Sequence, residues 1–408
     1  MNKRIKRLSI IGGGLAGCLS AIFFLKYTDW NIDWYLDPDD KVQDIDDSSD
    51  LSLPMSLRQD MNLEYNVIGD VGFGIKTGIL KKGWGHGDEF FHNTVMPFIT
   101  FHYNIGDLQQ YILEFCKAHE RIKLINDKVV NNQVTSDFIM NCSEIPGDDS
   151  LYHFSDNFPV NSVYTVKCPW DGQRFKHNLM IARPHGWVYG IPLENRCTIK
   201  YYYNSDINSL DDILEDIKQI FNDYNLTPSE ETTINEFKFY YRKENIVDKI
   251  CNCGNFSYSV DSIESPNIGL IYQIIRMAHE YWTGRTSRHR INNLYVQNVM
   301  ELELRSMLHY LAGSEYNTEF WVNAVALATS YFYEKQHQGD DIFQTFVEIA
   351  NLSKLYPNEL PGPESALTEY AFWTLESLKT NLTGLNLYSK IKELELSGIK
   401  PSTYSRVK

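Results

Sequence analysis

The sequence predicts an α/β fold in three parts: a parallel sheet with helices at the N-terminus, an antiparallel sheet in mid-chain, and a C-terminal helical layer. Three observations carry this expectation. A strand, glycine-loop, helix, strand pattern fills residues 7–37, alternating apolar runs fill residues 162–203, and apolar residues recur at helical spacing from residue 291 onward. With 408 residues, 43% of them hydrophobic, the chain can bury a sizeable core.

The opening pattern is the most specific. Residues 7–11 are a short apolar run suited to a buried parallel strand, Gly12-Gly13-Gly14-Leu15-Ala16-Gly17 follows, and residues 18–26 read as a helix. In such a GxGxxG turn Gly12 permits the tight bend, Gly14 lets a pyrophosphate approach the backbone, and Gly17 lets helix and strand pack closely. Leu15 and Ala16 lie in this loop ahead of a helix whose N-terminal free N–H groups and positive dipole end favour an anion. Residues 32–36 form a second strand ending at Asp37, 20 residues past Gly17, where a carboxylate can accept the ribose 2′-hydroxyl of an unphosphorylated adenosine. A polar strand end turning at Pro38 is the other reading of Asp37. The unit is Rossmann-like and suits NAD or FAD equally.

Further elements follow in order: a helix at 107–119, a strand at 136–141, antiparallel strands across 162–203, a helix at 210–223 and a strand at 236–242. Helices are expected at 268–281, 291–311, 319–338, 341–355, 366–381 and 387–397. Lys plus Arg number 38 against 53 Asp plus Glu, a formal charge of −15 that repels nucleic acid and anionic membranes. Seven cysteines at irregular spacing, without a CxxC pair, read as free thiols in a reducing compartment, and no metal site is expected. The basic start is followed by glycines, and no run reaches the roughly 20 apolar residues needed to span a bilayer. The chain therefore reads as soluble and cytoplasmic.

Three later stretches carry the chemistry. They are Gly74-Ile75-Lys76-Thr77-Gly78 leading to Trp84 and Phe90-Phe91-His92; Gly186-Trp187-Val188-Tyr189-Gly190-Ile191-Pro192; and Asp261-Ser262-Ile263-Glu264-Ser265. Taken singly, each has an ordinary reading as solvated lysines, strand packing and a helix cap. In this order behind the glycine loop, over roughly residues 7–330, they resemble the flavin-dependent halogenases of the tryptophan-halogenase type. That family has a lysine eight residues before a tryptophan, a WxWxIP stretch and a Leu-Glu-Ser segment. Here Lys76 precedes Trp84 by eight, Trp187 to Pro192 match WxWxIP with Tyr189 at the second Trp, and Ile263-Glu264-Ser265 match the third motif. Tyr202-Tyr203-Asn204-Ser205, the strand 137–143 and Asn317-Thr318-Glu319-Phe320-Trp321 are smaller echoes.

The resemblance implies FAD, used as FADH2 with O2 and a halide ion, making hypohalous acid that travels to a small aromatic substrate in a separate compartment. It implies Lys76 as the residue that delivers the halogen and Glu264 as the carboxylate that orients the oxidant or stabilises the cationic ring intermediate. Ser265 would hold the substrate or link the two compartments. An apolar setting would lower the Lys76 ammonium pKa toward the nucleophilic form; the alternative is a surface lysine in a Lys76/Lys81/Lys82 cluster. The flavin would be held by Gly12, Gly14, Leu15, Ala16, Gly17, Asp37, Trp187 and Pro192, and the substrate by His92, Phe320 and Trp321. Residues 1–290 would form a discontinuous flavin module containing the antiparallel sheet at about 158–242, and residues 291–408 the helical layer, in one compact unit. Only one dinucleotide fingerprint is present, which implies a separate flavin reductase as partner; a homo-oligomer is the default assembly.

The sequence departs from the family pattern in three places. The Gly-x-Gly-Glu-Ala-Thr strap against the flavin is absent, with residues 52–59 in its place behind an acidic stretch, 44–50, that reads as a mobile loop, so weak flavin binding is expected. After Glu264-Ser265 the family continues Thr-Gly, whose amides help bind halide, whereas this chain has Pro266-Asn267, and proline has no N–H. A donor-poor site cannot offset the dehydration of chloride, so bromide or iodide is expected to be preferred. Thr94 replaces an aromatic clamp, which favours a phenol, pyrrole or indole-type molecule over free tryptophan. The rival readings are a flavin-dependent aromatic monooxygenase, which needs neither Lys76 nor Glu264-Ser265, and a binding protein that has lost catalysis.

Overall fold

The glycine loop is locked by contacts that only glycine allows. A Cβ on Gly12, which has φ 106°, would lie 2.5 Å from the Cys142 carbonyl oxygen, and one on Gly17 would lie 2.2 Å from that of Gly12. The computed structural model in which these contacts are seen describes residues 4–40, 42–63, 72–85, 89–93, 100–129, 133–143, 148–355 and 373–396. The loop joins β1 (Arg7–Ile11) to α1 (Leu15–Tyr27), whose residues from Leu15 to Leu25 are all buried, and β2 (Asn31–Leu36) returns parallel to β1.

Next come β3 (Asp46–Ser48), α2 (Ser52–Met61), β4 (Gly74–Lys76), β5 (Gly78–Lys82), β6 (Glu89–Asn93), β7 (Thr100–Asn104), α3 (Ile105–Lys117), β8 (Ile122–Asn126) and β9 (Phe138–Asn141). The expectation of a mobile loop at 44–50 is overturned. Residues 46–48 are a strand paired antiparallel with β7, and buried Asp46 accepts hydrogen bonds from Arg196 Nε (2.7 Å), Arg196 Nη2 (2.6 Å) and Thr198 Oγ1 (2.6 Å). A charge so paired stabilises order rather than solvation. Helix α2, not foreseen, ends at Asn62 in the left-handed region at φ 57°.

The middle of the chain adds β10 (Tyr152–Ser155), β11 (Ser162–Pro169), β12 (Asn178–Arg183), β13 (Gly186–Pro192), β14 (Arg196–Tyr203), α4 (Leu210–Asp223), β15 (Thr232–Glu236), β16 (Phe239–Arg242), β17 (Ile246–Val247), β18 (Ile250–Asn252) and β19 (Tyr258–Ser259). The strand expected at 236–242 is thus two strands in two different sheets. A six-stranded sheet runs β17-β18-β9-β1-β2-β8, and a seven-stranded sheet runs β15-β11-β14-β13-β12-β5-β6. The second is antiparallel as expected, except that β5 joins β12 in parallel. Helix α4 begins with a reciprocal capping box between Ser209 and Asp212, and buries Ile213, Ile217 and Ile220 on one face.

One turn matters for the site. Strand β4 belongs to a small sheet, β3-β7-β4, while β5 belongs to the seven-stranded sheet. Only Thr77 separates them, and its N–H donates to the Lys176 carbonyl at 2.7 Å. Lys76 and Lys81 therefore come from adjoining strands of different sheets. The C-terminal part is helical: α5 (Asn267–Trp282), α6 (Arg288–Ala312), α7 (Glu319–Gln338), α8 (Asp341–Leu355), α9 (Leu375–Gly384) and α10 (Leu387–Leu396). The first part of the helix expected at 366–381 lies outside the described residues. A large apolar cluster joins β13 and β14 to α6, α7, α8 and α9.

Candidate active site

The first cleft, about 920 Å³, opens at the N-terminus of α1 and is lined by Gly13, Gly14, Asp37 and Gln109 among others. Gly14 caps α1 without a side-chain hydrogen bond, and a Cβ there would meet only Gln109 Nε2 at 4.0 Å. The backbone thus presents open donors to the cleft, the arrangement a pyrophosphate requires. Asp37 receives Lys128 Nζ at 2.7 Å and the Asp39 N–H at 2.9 Å, and the Lys128 contact keeps its carboxyl below the usual range. An ionised acceptor at that edge suits a ribose hydroxyl, so these residues fit an FAD adenosine diphosphate. Leu15 and Ala16 are the buried first residues of α1. Trp187 and Pro192 do not line this cleft: Trp187 stacks on Tyr202 at 4.3 Å and donates to Tyr310 Oη at 3.1 Å, while the Pro192 carbonyl accepts from Gln173. Their packing places them in and beside the sheet core.

Two further chambers meet at the segment Glu264 to Pro266. One, about 590 Å³ and polar, is lined by Asp47, Tyr189, Asp261, Ser265, Pro266 and Asn267 among others. The other, about 770 Å³, is lined by Lys76, His92, Glu264, Pro266, Arg305 and Trp373 among others. Pro266 borders both. Glu264 and Ser265 both adopt positive φ, 62° and 51°, a strained pair for side chains with a Cβ that costs about 1–3 kcal/mol each. What holds them there is the network on their side chains.

Glu264 is buried and clamped. Its Oε1 accepts from Lys81 Nζ and lies 3.1 Å from His92 Nδ1, and its Oε2 accepts from the indole N–H of Trp373. Burial alone would raise its pKa, but the Lys81 charge and the contact with His92 outweigh that and hold the carboxyl well below the usual range. Lys81, expected at most as part of a surface cluster, is fully buried. Its other contacts are Asn381 Oδ1 at 2.5 Å and His309 Nε2 at 2.8 Å. His309 Nδ1 faces the Arg305 carbonyl at 2.9 Å and donates to it, leaving Nε2 to accept. The three ammonium protons of Lys81 thus have three acceptors. Lys81 is an anchor for Glu264.

Lys76 is placed differently. Its Nζ donates to the Ser49 carbonyl at 2.9 Å and to Ser48 Oγ at 3.4 Å while lining the larger chamber. Burial pulls its pKa down to about 8, with Asp50 and Glu264 opposing the shift. Ser265 Oγ contacts Ser48 Oγ and Tyr189 Oη, each at 3.1 Å. Pro266 caps α5, and Asn267, its first residue, accepts from Tyr258 Oη at 2.7 Å through its side chain. Lys76, His92, Glu264 and Ser265 are therefore brought together, with Pro266 and Asn267 beside them. Phe320 and Trp321 are not: they are buried in the core, where Trp321 donates to the Arg183 carbonyl at 2.7 Å and packs edge-on against Trp84 at 5.4 Å. Thr94 lies outside the described residues. Lys81, His309, Trp373 and Asn381 were missed because nothing in their local sequence marks them; only strand alternation, which buries one of Lys81 and Lys82, offered a signal.

The family profile described as Tryptophan halogenase matches residues 148–351, half of the chain. The chain belongs to the tryptophan halogenase family. Solved structures agree on the fold. The tryptophan halogenase from Shewanella frigidimarina NCIMB 400 is 15% identical with a TM-score of 0.75, covering 97% of this chain and 94% of that one. A flavin-dependent halogenase from Xanthomonas campestris is 15% identical with a TM-score of 0.73, over 97% and 96%. A flavin-dependent halogenase from Brevundimonas sp. BAL3 is 16% identical with a TM-score of 0.72, again over 97% and 96%. A comparison with curated protein sequences finds no match. Tryptophan halogenases are flavin-dependent enzymes that generally use a partner flavin reductase and aromatic substrates. Among the described residues, no helix is long and apolar enough to cross a membrane.

Proposed function

We propose that the chain is an FADH2-dependent halogenase that delivers halogen from Lys76 to a small aromatic substrate, with reduced flavin supplied by a separate reductase. The observation that carries this reading is that the Lys76 amine and the Glu264 carboxylate line one chamber, behind the Glu264 to Pro266 segment that borders the polar one. When bound and reduced, FAD supplies with O2 the oxidising equivalents that turn halide into hypohalous acid. Lys76, with a pKa of about 8, is neutral in about one molecule in ten at pH 7, so a nucleophilic amine is present. It takes the halogen from hypohalous acid, which leaves as water with one amine proton. Glu264 stays ionised and faces the positive charge that develops on an attacked ring, an electrostatic contribution of about 2.7–4 kcal/mol. His92, in contact with Glu264, lines the wall where that ring would sit. Gly14, the start of α1 and Asp37 hold the adenosine diphosphate end of the flavin.

The halide would sit by Pro266 and Asn267. Pro266, the cap of α5, lacks an N–H, so bromide or iodide is favoured over chloride. The test is mass spectrometry of products from the purified protein with FAD, an added reductase, NADH and a panel of phenols, pyrroles and indoles, in parallel with chloride, bromide and iodide. Catalase removes leaked peroxide. The expected product carries the supplied halogen, disappears in Lys76→Ala while hypohalous acid still forms, and arises slowest with chloride. Hydroxylated product would replace this reading with a monooxygenase, and chloride as the fastest halide would remove the halide assignment.

A further inference from the structure

Between the two chambers lies a chain of hydrogen bonds that all point one way. Lys76 Nζ donates to Ser48 Oγ at 3.4 Å, Ser48 Oγ donates to Ser265 Oγ at 3.1 Å, and Ser265 Oγ donates to Asp47 Oδ1 at 3.3 Å. Tyr189 Oη lies 3.1 Å from both serine oxygens and closes a triangle of hydroxyls. Lys76, Ser48, Ser265 and Tyr189 are all buried, whereas Asp47 is partly exposed and lines the polar chamber. Lys76 lines the other. The far end of the chain is thus a carboxylate and the near end an ammonium that must lose a proton before it can act.

We infer that Ser48, Ser265 and Asp47 form a proton wire that carries a proton from the Lys76 ammonium into the polar chamber, with Tyr189 as the positioning residue that keeps the two serines in register. The inference rests on the reading of Lys76 as the amine that accepts halogen. Lys76 passes a proton to Ser48 Oγ as Ser48 passes its own to Ser265 and Ser265 passes its own to the Asp47 carboxylate. One N–H and two O–H bonds break and three O–H bonds form, leaving a neutral amine and a carboxylic acid that gives its proton to solvent. The amine lone pair then attacks the halogen of hypohalous acid. The O–halogen bond breaks and the oxygen departs as water with one amine proton, which leaves an N-halo lysine. One serine of this wire has a partner particular to this chain: Ser265 meets Tyr189 where the family has the second tryptophan of WxWxIP, while Ser48 on β3 lies just before residues 52–59, which stand in the place of the family's flavin strap.

The charged and titratable groups facing Lys76 come from several elements. Asp47 is on β3 and Asp50 follows it, Glu264 precedes α5, and Arg305 is on α6. His102 on β7 is kept neutral by burial and by Lys76 itself. Removing Asp47 by electrostatics alone would lower the Lys76 pKa further and speed its reaction. The wire predicts the opposite.

The experiment adds stoichiometric hypochlorous acid directly to the full-length protein with FAD, without reductase, and follows N-chlorination of Lys76 by peptide mass spectrometry across pH 6–10. Lys76→Met sets the background. Ser48→Ala and Asp47→Asn should each slow the phase in which the protonated majority of Lys76 reacts at pH 7 by about 10²-fold, at the low end of the range for a lost proton-transfer group. The deficit should close above about pH 8, where bulk solvent deprotonates Lys76 unaided. A wild-type to variant ratio that does not change with pH, or an Asp47→Asn protein faster than wild type at pH 7, overturns the wire. If the pH-dependent ratio is seen but the wild type makes no aryl halide with FADH2, the wire stands and the proposed function falls. If aryl halide forms and the ratio is flat, the reverse holds.

Discussion

The glycine cleft and the lysine chamber are built on opposite plans. The cleft is centred on one short stretch of backbone, Gly13 and Gly14 before α1, with Asp37 at its edge and α3 residues such as Gln109 as its facing wall. The chamber is made of side chains drawn from β4, β6, α6 and the segments before α5 and α9, so that Lys76 and Trp373 meet across nearly the whole chain. A backbone site needs only the absence of side chains at a few neighbouring positions, and that absence is written as glycine. A side-chain site needs a fold before its members are neighbours at all.

Substitutions can sharpen this contrast. The largest effect is expected for Gly14→Val. Its backbone, at φ −65° and ψ 177°, suits any residue and its Cβ has space, so the apo protein should melt unchanged. FAD affinity, measured by fluorescence titration, should nevertheless fall by at least about 100-fold, about 2.7 kcal/mol, because the valine fills the space a pyrophosphate would take. A variant that binds FAD normally would mean that the cleft does not hold the dinucleotide through Gly14.

The chamber should respond in the opposite way, through stability. Lys81→Met removes the anchor of a buried carboxylate, and should cost about 3–5 kcal/mol in denaturant unfolding. Pairing it with Glu264→Gln should recover part of that loss, since no unpaired charge then remains buried. If the double variant is as unstable as the sum of the single ones, Lys81 and Glu264 do not act as a pair. The smallest effect is expected for Trp321→Phe, which loses one hydrogen bond to the Arg183 carbonyl, about 1 kcal/mol. KM and product distribution should not move, because Trp321 is in the core; a raised KM would return it to the substrate wall.

The same contrast explains what could be read before the structure was seen. The strand, glycine loop and helix at the N-terminus follow directly from residue type and spacing, and so do α4, α7 and α8, whose apolar periodicity and ends are clear. Lys76, His92, Glu264 and Ser265, which the fold brings together, were singled out because an ordered set of motifs carries them. Asp46 was misread within an acidic run, since its partner Arg196 lies 150 residues further on and nothing local announces it. The Phe320-Trp321 pair was placed on a helix correctly but sent to the wrong destination: periodicity shows that a face is buried, not against what. Lys81 beside Lys82 looks solvated twice over until the register of β5 turns one inward.

The indole of Trp373 and the amide of Asn381 give the chamber a consequence in time. During synthesis the glycine cleft and both sheets can take shape while the last helices are still inside the ribosome. Until α9 emerges and docks, Glu264 and Lys81 lack two of their partners and the chamber lacks a wall. A chain caught at that stage, or trimmed back to it by a protease, would keep the glycine cleft and lack the Trp373 side of the chamber. Residues 373–384 therefore complete the compartment, whose wall is whole only after they have docked.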